Sequence, residues 1–312
     1  MLRAAKLRGH PRKLSRMTGL TLDQFQTLTQ RLTPRWAPAE RERLSCRRRL
    51  RAIGQGRKYK RATLGDTLLC LLVCYRFALT DAWLGGLFGL EASPVCRLQA
   101  KREPLLEPAA DPARRLPLRR PWPPGAKKIG TWEQLLEVCP DFAEVVTDAT
   151  EPPRQRPPRR SQRRWYSGKK RRHTVQTQLT VTRHGRILAG SRSVPGRTHD
   201  SRLFPREGTA RQLPPRTRHS ADLGYEGAPT DYPTQPLLVP VQRRRHHRVL
   251  TRAERRFHRI PARLRIIVEH VLSRLKKYAI LGQVYRHRIA DDNRRFRNVA
   301  ALVHCRLATA VG

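Results

Sequence analysis

The sequence predicts an α/β protein, a mixed sheet flanked by helices, behind an all-α N-terminal region. Three observations predict it. Apolar residues gather into helix-length runs over residues 64–102, β-branched runs of strand length begin near Phe142, and helical periodicity returns from residue 261 onward. Acids are scarce, and two of them stand at the ends of strand-like runs.

Charge narrows the class of partner. Lys and Arg number 66 against 24 Asp and Glu, a net charge of +42 over 312 residues, spread along the whole chain. Such a surface repels itself unless a polyanion neutralises it, and nucleic acid is the usual polyanion. The six cysteines form no CxxC pair and match no histidine spacing, so neither a zinc site nor a disulfide framework is expected. Cys70 and Cys74, four apart in an apolar helical run, read as small buried hydrophobes. Residues 1–20 are basic and lack the apolar core of a signal peptide, and the longest apolar run, 64–79, is interrupted by Asp66 and Arg76. A cytoplasmic, nucleoid-associated protein with no membrane contact is expected.

Composition divides the chain into four zones. Residues 1–61 form a basic segment with one amphipathic helix at 21–32, opened by Thr21 with Asp23 and Gln24 in its first turn. Residues 62–107 read as three helices. The first, 64–77, has the apolar density of a buried helix; Thr80 and Asp81 cap a second at 82–88, which Gly89 terminates. Ser93-Pro94 opens a third, which runs to about Arg102 before Pro104 stops it. Helix, glycine turn and helix is the helix-turn-helix pattern, in which Arg97, Lys101 and Arg102 of the later helix would meet DNA. An ordinary three-helix packing unit is the other reading. Residues 108–130, rich in Pro and Arg, read as a semi-extended linker.

Residues 131–312 form the largest structured zone. A strand at 142–148 ends on Asp148. After a basic, Pro-rich loop, residues 172–182 alternate, with Val175, Thr177, Leu179 and Val181 on one face and Thr174, Gln176, Gln178 and Thr180 on the other. A third strand, 186–194, follows the His184-Gly185 turn. His199-Asp200 opens a short helix, 218–222 and 237–241 are short strands, two helices split by Pro261 follow, and 292–308 is a last amphipathic helix. Three antiparallel strands followed by alternating helix and strand is the order of the ribonuclease H-like fold.

The acids carry the chemistry. Asp148 and Asp222 each end a strand, and a carboxylate near a core is costly unless paired, hydrogen-bonded or bound to metal. Either alone could simply cap a turn. In the helix after Pro261, Leu264, Ile267, Val268, Val271 and Leu275 form one apolar stripe, and Arg265, Glu269 and Lys276 share a neighbouring arc. A salt-bridge ladder on that arc is one reading; a metal ligand flanked by phosphate-binding cations is the other. Two strand-end Asp residues and a helical Glu suit two hard divalent cations, Mg²⁺ or Mn²⁺, per active site, which together favour in-line displacement at phosphorus. No GxxxxGKS loop indicates a nucleotide cofactor.

These residues fall in stretches that resemble insertion-sequence DDE transposases of the IS-five-like, Harbinger-related group. The stretches are Asp148-Ala149-Thr150-Glu151, Tyr166-Ser167-Gly168-Lys169-Lys170 through His173, Pro195-Gly196-Arg197-Thr198-His199-Asp200, Ala221-Asp222-Leu223-Gly224-Tyr225, and Arg265 to Glu269 with Lys276 beyond. The resemblance implies a ribonuclease H-like catalytic domain and cut-and-paste transposition, with Asp148, Asp222 and Glu269 as the catalytic, metal-binding trio. It places Arg265 four residues before that Glu and Lys276 seven after it. Three departures stand out: Ala149 where Gly is usual, Leu223 where Lys is usual, and Ala262 where a Tyr would precede Arg265 by three.

His199 and Asp200 are expected beside the metal ligands rather than among them; Asp200 is also suited to cap a helix, and it is the alternative to Asp222 as a direct ligand. Tyr166, Lys169, Lys170, Arg171 and Arg172 are expected to grip strand phosphates near the cut; a solvated basic hairpin is the alternative. The expected partners are the element's terminal inverted repeats and target DNA, both double-stranded, bound by a homodimer. The competing function is a decayed or repurposed transposase that only binds DNA.

Overall fold

The computed structural model describes residues 1–45, 63–110, 143–200, 202–203, 217–222, 225, 237–238, 252–284 and 289–308. The linker from residue 111 onward lies outside them, as do Cys46, Cys139 and Leu223. Contacts divide the chain into two compact units.

The first unit comprises Met1–Ala113, Lys276–Gln283 and Arg294–Gly312. Its described helices include α1 (Ala4–Arg8), α2 (Pro11–Thr18), α3 (Leu22–Ser45), α4 (Leu64–Phe77), α5 (Asp81–Phe88) and α6 (Ala92–Ala110). The centre is α4, buried from Asp66 through Tyr75, so it is apolar all round as a surrounded helix must be. Thr63 and Asp66 close a reciprocal capping box, and Asp66 Oδ1 also accepts the Ala4 N–H at 2.7 Å, fastening α1 to the start of α4. Thr80 caps α5 and Gly89, in the left-handed conformation, ends it.

Two boundaries differ from the sequence expectation because packing outweighs a local breaker. α3 continues past residue 32 through Pro34 and Pro38 to Ser45. α6 continues through Pro104 and Pro108 to Ala110. An interior proline costs a helix ~3 kcal/mol. In α6 the residues beyond Pro104 offset that cost by burying Leu106, Ala109 and Ala110.

Contacts also cut across the zones that composition drew, since the end of the chain from Arg294 clusters with the N-terminal helices. A buried polar knot accounts for it. Arg295 Nε donates to Glu103 Oε1 at 2.8 Å, with both side chains at most 6% exposed. Asn298 Nδ2 donates to Tyr75 Oη at 2.8 Å and to the Glu103 carbonyl at 2.9 Å, while the Glu107 N–H donates to Asn298 Oδ1 at 3.0 Å. Cys70 and Cys74 are buried free thiols, each pushed up to about 12 chiefly by burial, which fits small hydrophobes rather than reactive sulfur.

The second unit comprises Arg114–Leu275 and Val284–Asn293. It is built on a mixed sheet in which β1 (Glu144–Thr150) pairs antiparallel with β4 (Val175–Thr182) and parallel with β7 (Arg218–Ala221). Outside β4 lies β5 (Ile187–Gly190), antiparallel; outside β7 lies β8 (Leu237–Leu238), parallel. The expected third strand is in fact two, β5 and β6 (Val194–Pro195), and β6 pairs with the start of β4. A separate hairpin joins β2 (Tyr166–Ser167) to β3 (Arg172–His173). After the sheet come α7 (Arg252–Lys276), α8 (Ala279–Gly282) and α9 (Ile289–Ala308), of which α8 and the part of α9 from Arg294 onward cluster with the first unit. This mixed α/β architecture is consistent with a ribonuclease H-like domain. α7 is continuous through Pro261, where two helices were expected. The proline removes one N–H from the ladder but leaves the apolar stripe that follows in register.

β4 is buried along its whole length, including the Thr and Gln face that alternation would assign to solvent. Part of that face is bonded within the sheet, while among the described residues no hydrogen-bond partner reaches Gln176 Oε1 or Gln178 Oε1. Thr147 Oγ1 meets Thr180 Oγ1 at 2.8 Å and His219 Nε2 at 2.5 Å, across three adjacent strands, and the Gln178 N–H donates to Ser191 Oγ at 2.8 Å. Burial pushes His219 down to about 3, so it is a neutral ring within the sheet. Among the described residues no helix is long and apolar enough to cross a membrane.

Candidate active site

β1 is anchored by Val145 and Val146, which are essentially inaccessible to solvent. It runs on along β4 to Thr150, past the expected strand end at Asp148, and Asp148 lies one residue beyond its last pairing with β7. In the parallel pairing of β1 with β7 the last matched residues are Thr147 and Ala221. The next residue on each strand is an acid, so Asp148 and Asp222 emerge side by side from strands spaced ~4.8 Å apart. Sheet register alone thus juxtaposes two carboxylates 74 residues apart in sequence.

The third acid comes from α7. Val268, Val271, Leu272 and Leu275 are buried while Arg265 and Glu269 are exposed, as the periodicity requires. The turn after β4 supports this packing: Gly185, at φ +77°, lies against Val271 and Ile267, where an added Cβ would sit 3.4 Å from Val271. Arg265 then joins the set. Its Nη1 donates to Asp222 Oδ1 at 3.1 Å and its Nε lies 2.9 Å from Glu269 Oε1. One guanidinium therefore ties the strand-end Asp222 to the helical Glu269.

The environment of Asp148 is electrostatically costly. Burial pushes its carboxyl up to about 6, the N–H of Ala149 (2.8 Å from Oδ1) and the charge of Arg265 pull it back, and Asp222 and Asp200 raise it further. Asp200 accepts a hydrogen bond from Gln176 Nε2. Its carboxyl is raised by burial, with Lys169 and His199 opposing and Glu151 and Asp222 adding to the rise. His199, one residue before it, supplies the carbonyl that accepts from the N–H groups of Arg202 and Leu203, which opens a helical turn. The loop to Asp200 passes close to β4 at Gly196, where a Cβ would fall 1.8 Å from Thr174 Oγ1; only glycine fits. That same Thr174 hydroxyl donates to Glu151 Oε1 at 2.6 Å.

Two neighbours of the acids were not singled out as site residues in the sequence. Tyr225 is fully buried, and the charges of Asp200, Asp148 and Asp222 add to burial in raising its hydroxyl. Its place three residues beyond Asp222 was the available signal. Gln176, inside an apparently solvent-facing polar alternation, gave none.

The remaining expected contacts scatter. Tyr166 is 44% exposed and meets His173 edge-on across the β2–β3 hairpin, centroids 5.7 Å apart. Lys169, Lys170 and Arg171 occupy the exposed turn, Arg171 at φ +51°, and Arg172 opens β3. The charge of Lys169 reaches Asp200, which ties the hairpin tip electrostatically to the acids. Lys276 is exposed at the end of α7. In the first unit Arg97 is exposed with its Nε on the Ser93 carbonyl. Lys101 pairs with Glu40 at 3.3 Å. Arg102 stacks over Trp36 and donates to Thr67 Oγ1, and burial pushes its guanidinium down to about 9.

The donor chemistry fits a hard divalent cation: three carboxylates from three elements, one of them held in a poorly solvated position that disfavours its charge. As the side chains stand, no three His, Cys, Asp or Glu among the described residues close around a single point. The cation between Asp222 and Glu269 is Arg265.

Comparison with known proteins gives the family. Residues 147–307 match the family described as DDE superfamily endonuclease. A protein of Microchaete diplosiphon described as a probable transposase for insertion sequence element IS702 is 31% identical over 245 residues, covering 78% of this chain and 80% of the relative. No solved structure matches significantly. Together, the family match, which spans all three acids, and the long alignment to an insertion-sequence protein show that the chain belongs to the DDE superfamily of endonucleases, among the insertion-sequence transposases.

Proposed function

We propose that the chain cuts DNA at the terminal inverted repeats of an insertion sequence and joins the freed ends to target DNA, with Asp148, Asp222 and Glu269 as its metal ligands. The observation that carries the reading is the register of β1 against β7, which sets Asp148 beside Asp222, with Glu269 brought alongside by Arg265. Two Mg²⁺ or Mn²⁺ ions held by these acids would supply an activated oxygen nucleophile and stabilise the leaving oxygen of the scissile phosphodiester.

The rest of the reading falls to this chain's own residues. Arg265 would take phosphate oxygens beside the acids, a role that suits the Arg fork, and Lys276, exposed at the end of α7, would also contact phosphate. The hairpin cations Lys169, Lys170, Arg171 and Arg172, with Tyr166, would hold the strand entering the site. Asp200, held by Gln176, would orient rather than ligate. In the first unit Arg97 is the exposed candidate for DNA contact on the helix-turn-helix reading, whereas Lys101 and Arg102 are engaged within the unit. Two ends must be brought together for joining, which calls for a homodimer on DNA. No residue pattern here calls for a nucleotide cofactor.

The test incubates the purified protein with labelled terminal-repeat duplex and Mg²⁺ or Mn²⁺, beside Asp222→Asn and Asp200→Asn. The wild type should nick the duplex, Asp222→Asn should bind it without nicking, and Asp200→Asn should retain part of the activity. If wild type and Asp222→Asn bind equally and neither nicks, the chain is a DNA-binding protein without nuclease function.

A further inference from the structure

Arg265 stands where the proposed chemistry needs a different cation. It donates to Asp222 at 3.1 Å and lies 2.9 Å from Glu269, so both proposed ligands are committed to one guanidinium. We propose that Arg265 is an exchangeable counter-ion: it holds the two acids together until a divalent cation displaces it, and once displaced it becomes a phosphate contact. Cation loading and DNA binding then favour one another. The inference rests on the reading of Asp222 and Glu269 as metal ligands.

The build of the contact supports exchange. The side chains of Arg265, Asp222 and Glu269 are 48%, 26% and 51% exposed, and solvent-exposed pairs of this kind are individually weak. The same chain shows what a permanent Arg–carboxylate pair looks like: Glu103 and Arg295, 3% and 6% exposed, fixed beside Asn298. Arg265 is also the right residue for two partners in turn. Its planar fork presents five N–H donors, which match carboxylate and phosphate geometry alike, and its charge cannot be titrated away. A cation that takes over Asp222 and Glu269 leaves that fork unpaired at the rim of the site. An incoming phosphate then meets a free guanidinium in place of a neutralised one. Because coupling between two ligands is reciprocal, DNA must tighten the cation by the factor with which the cation tightens DNA.

The competing explanation is a fixed brace between strand end and helix, and the two differ in sign. In DNA-free full-length protein, Mn²⁺ affinity is measured by isothermal titration calorimetry for the wild type, Arg265→Gln, Arg265→Lys and Asp222→Asn. Duplex affinity is measured by fluorescence anisotropy with and without Ca²⁺. Exchange predicts that Arg265→Gln binds Mn²⁺ about fivefold or more tightly than wild type and loses most of the cation-induced gain in duplex affinity. Arg265→Lys should fall between, since it keeps the charge but not the fork. Mn²⁺ binding by Arg265→Gln equal to or weaker than wild type, with unchanged thermal melting, overturns the proposal and makes Arg265 a brace. Mn²⁺ binding that is indifferent to Asp222→Asn overturns the ligand reading beneath it, which distinguishes the two failures.

Discussion

Asp148 offers the sharpest energetic prediction, because its charge is unfavourable in the folded protein. Burial and the neighbouring acids hold its carboxyl at about 6, against an ordinary value of 3.8. Between those values the folded state binds more protons than the unfolded state, so stability must fall as pH rises through that window. At ~1.4 kcal/mol per pH unit, a shift of this size corresponds to about 3 kcal/mol, reduced by residual solvent screening to roughly 1–3 kcal/mol. Asp148→Asn removes the charge while keeping the shape. In EDTA at pH 8 the variant should therefore be more stable than wild type, melting higher by about 2–4 °C per kcal/mol. At pH 4 the two should melt together. The assay is thermal unfolding followed by circular dichroism across pH 4–8. A variant that is less stable at pH 8, or whose advantage does not depend on pH, would refute the reasoning.

Three further outcomes follow from particular contacts. His219 is held at about 3 by burial, below its ordinary value of 6.5, so the unfolded state binds the extra proton and folded stability falls as pH drops from 6.5 toward 3; His219→Gln should flatten that decline in acid melts. Glu103→Gln should destabilise the protein by ~3–5 kcal/mol in urea titrations, since it strands the buried charge of Arg295; restoring stability with Arg295→Met in the same chain would confirm that the stranded charge is the cause. Gly196→Ala should cost ~1–3 kcal/mol in the same titration and lower nicking, because its Cβ would collide with the Thr174 hydroxyl and push the loop bearing Asp200 off Gln176.

The sequence was most informative where local pattern and site coincide. Asp148 closes a β-branched run, and the 3.6-residue stripe of α7 put Arg265 and Glu269 on one arc, as the structure does. The helix over 64–77 and the caps at Thr80 and Gly89 were equally legible, because capping chemistry is local. What escaped depends on contacts distant in sequence. Nothing near Asp222 announces that Arg265, 43 residues on, will bind it. The Thr and Gln face of β4 reads as solvent-facing until Thr147 and His219 arrive from two other strands and draw Thr180 into a buried hydrogen-bond chain. Arg102 looks like a DNA-reading cation on its own helix, and only the arrival of Trp36 and Thr67 absorbs it. Pro104 reads as a stop because its penalty is local and the burial that offsets it is not.

The central claim is that Asp148, Asp222 and Glu269 act as one set in cutting DNA. Its most direct test compares Mn²⁺-dependent nicking of a labelled terminal-repeat duplex by wild type, Asp148→Asn, Asp222→Asn and Glu269→Gln, with duplex binding measured in parallel. All four proteins should bind the duplex, and only the wild type should nick it. Wild-type nicking rates in any one of the three amide variants would contradict the claim.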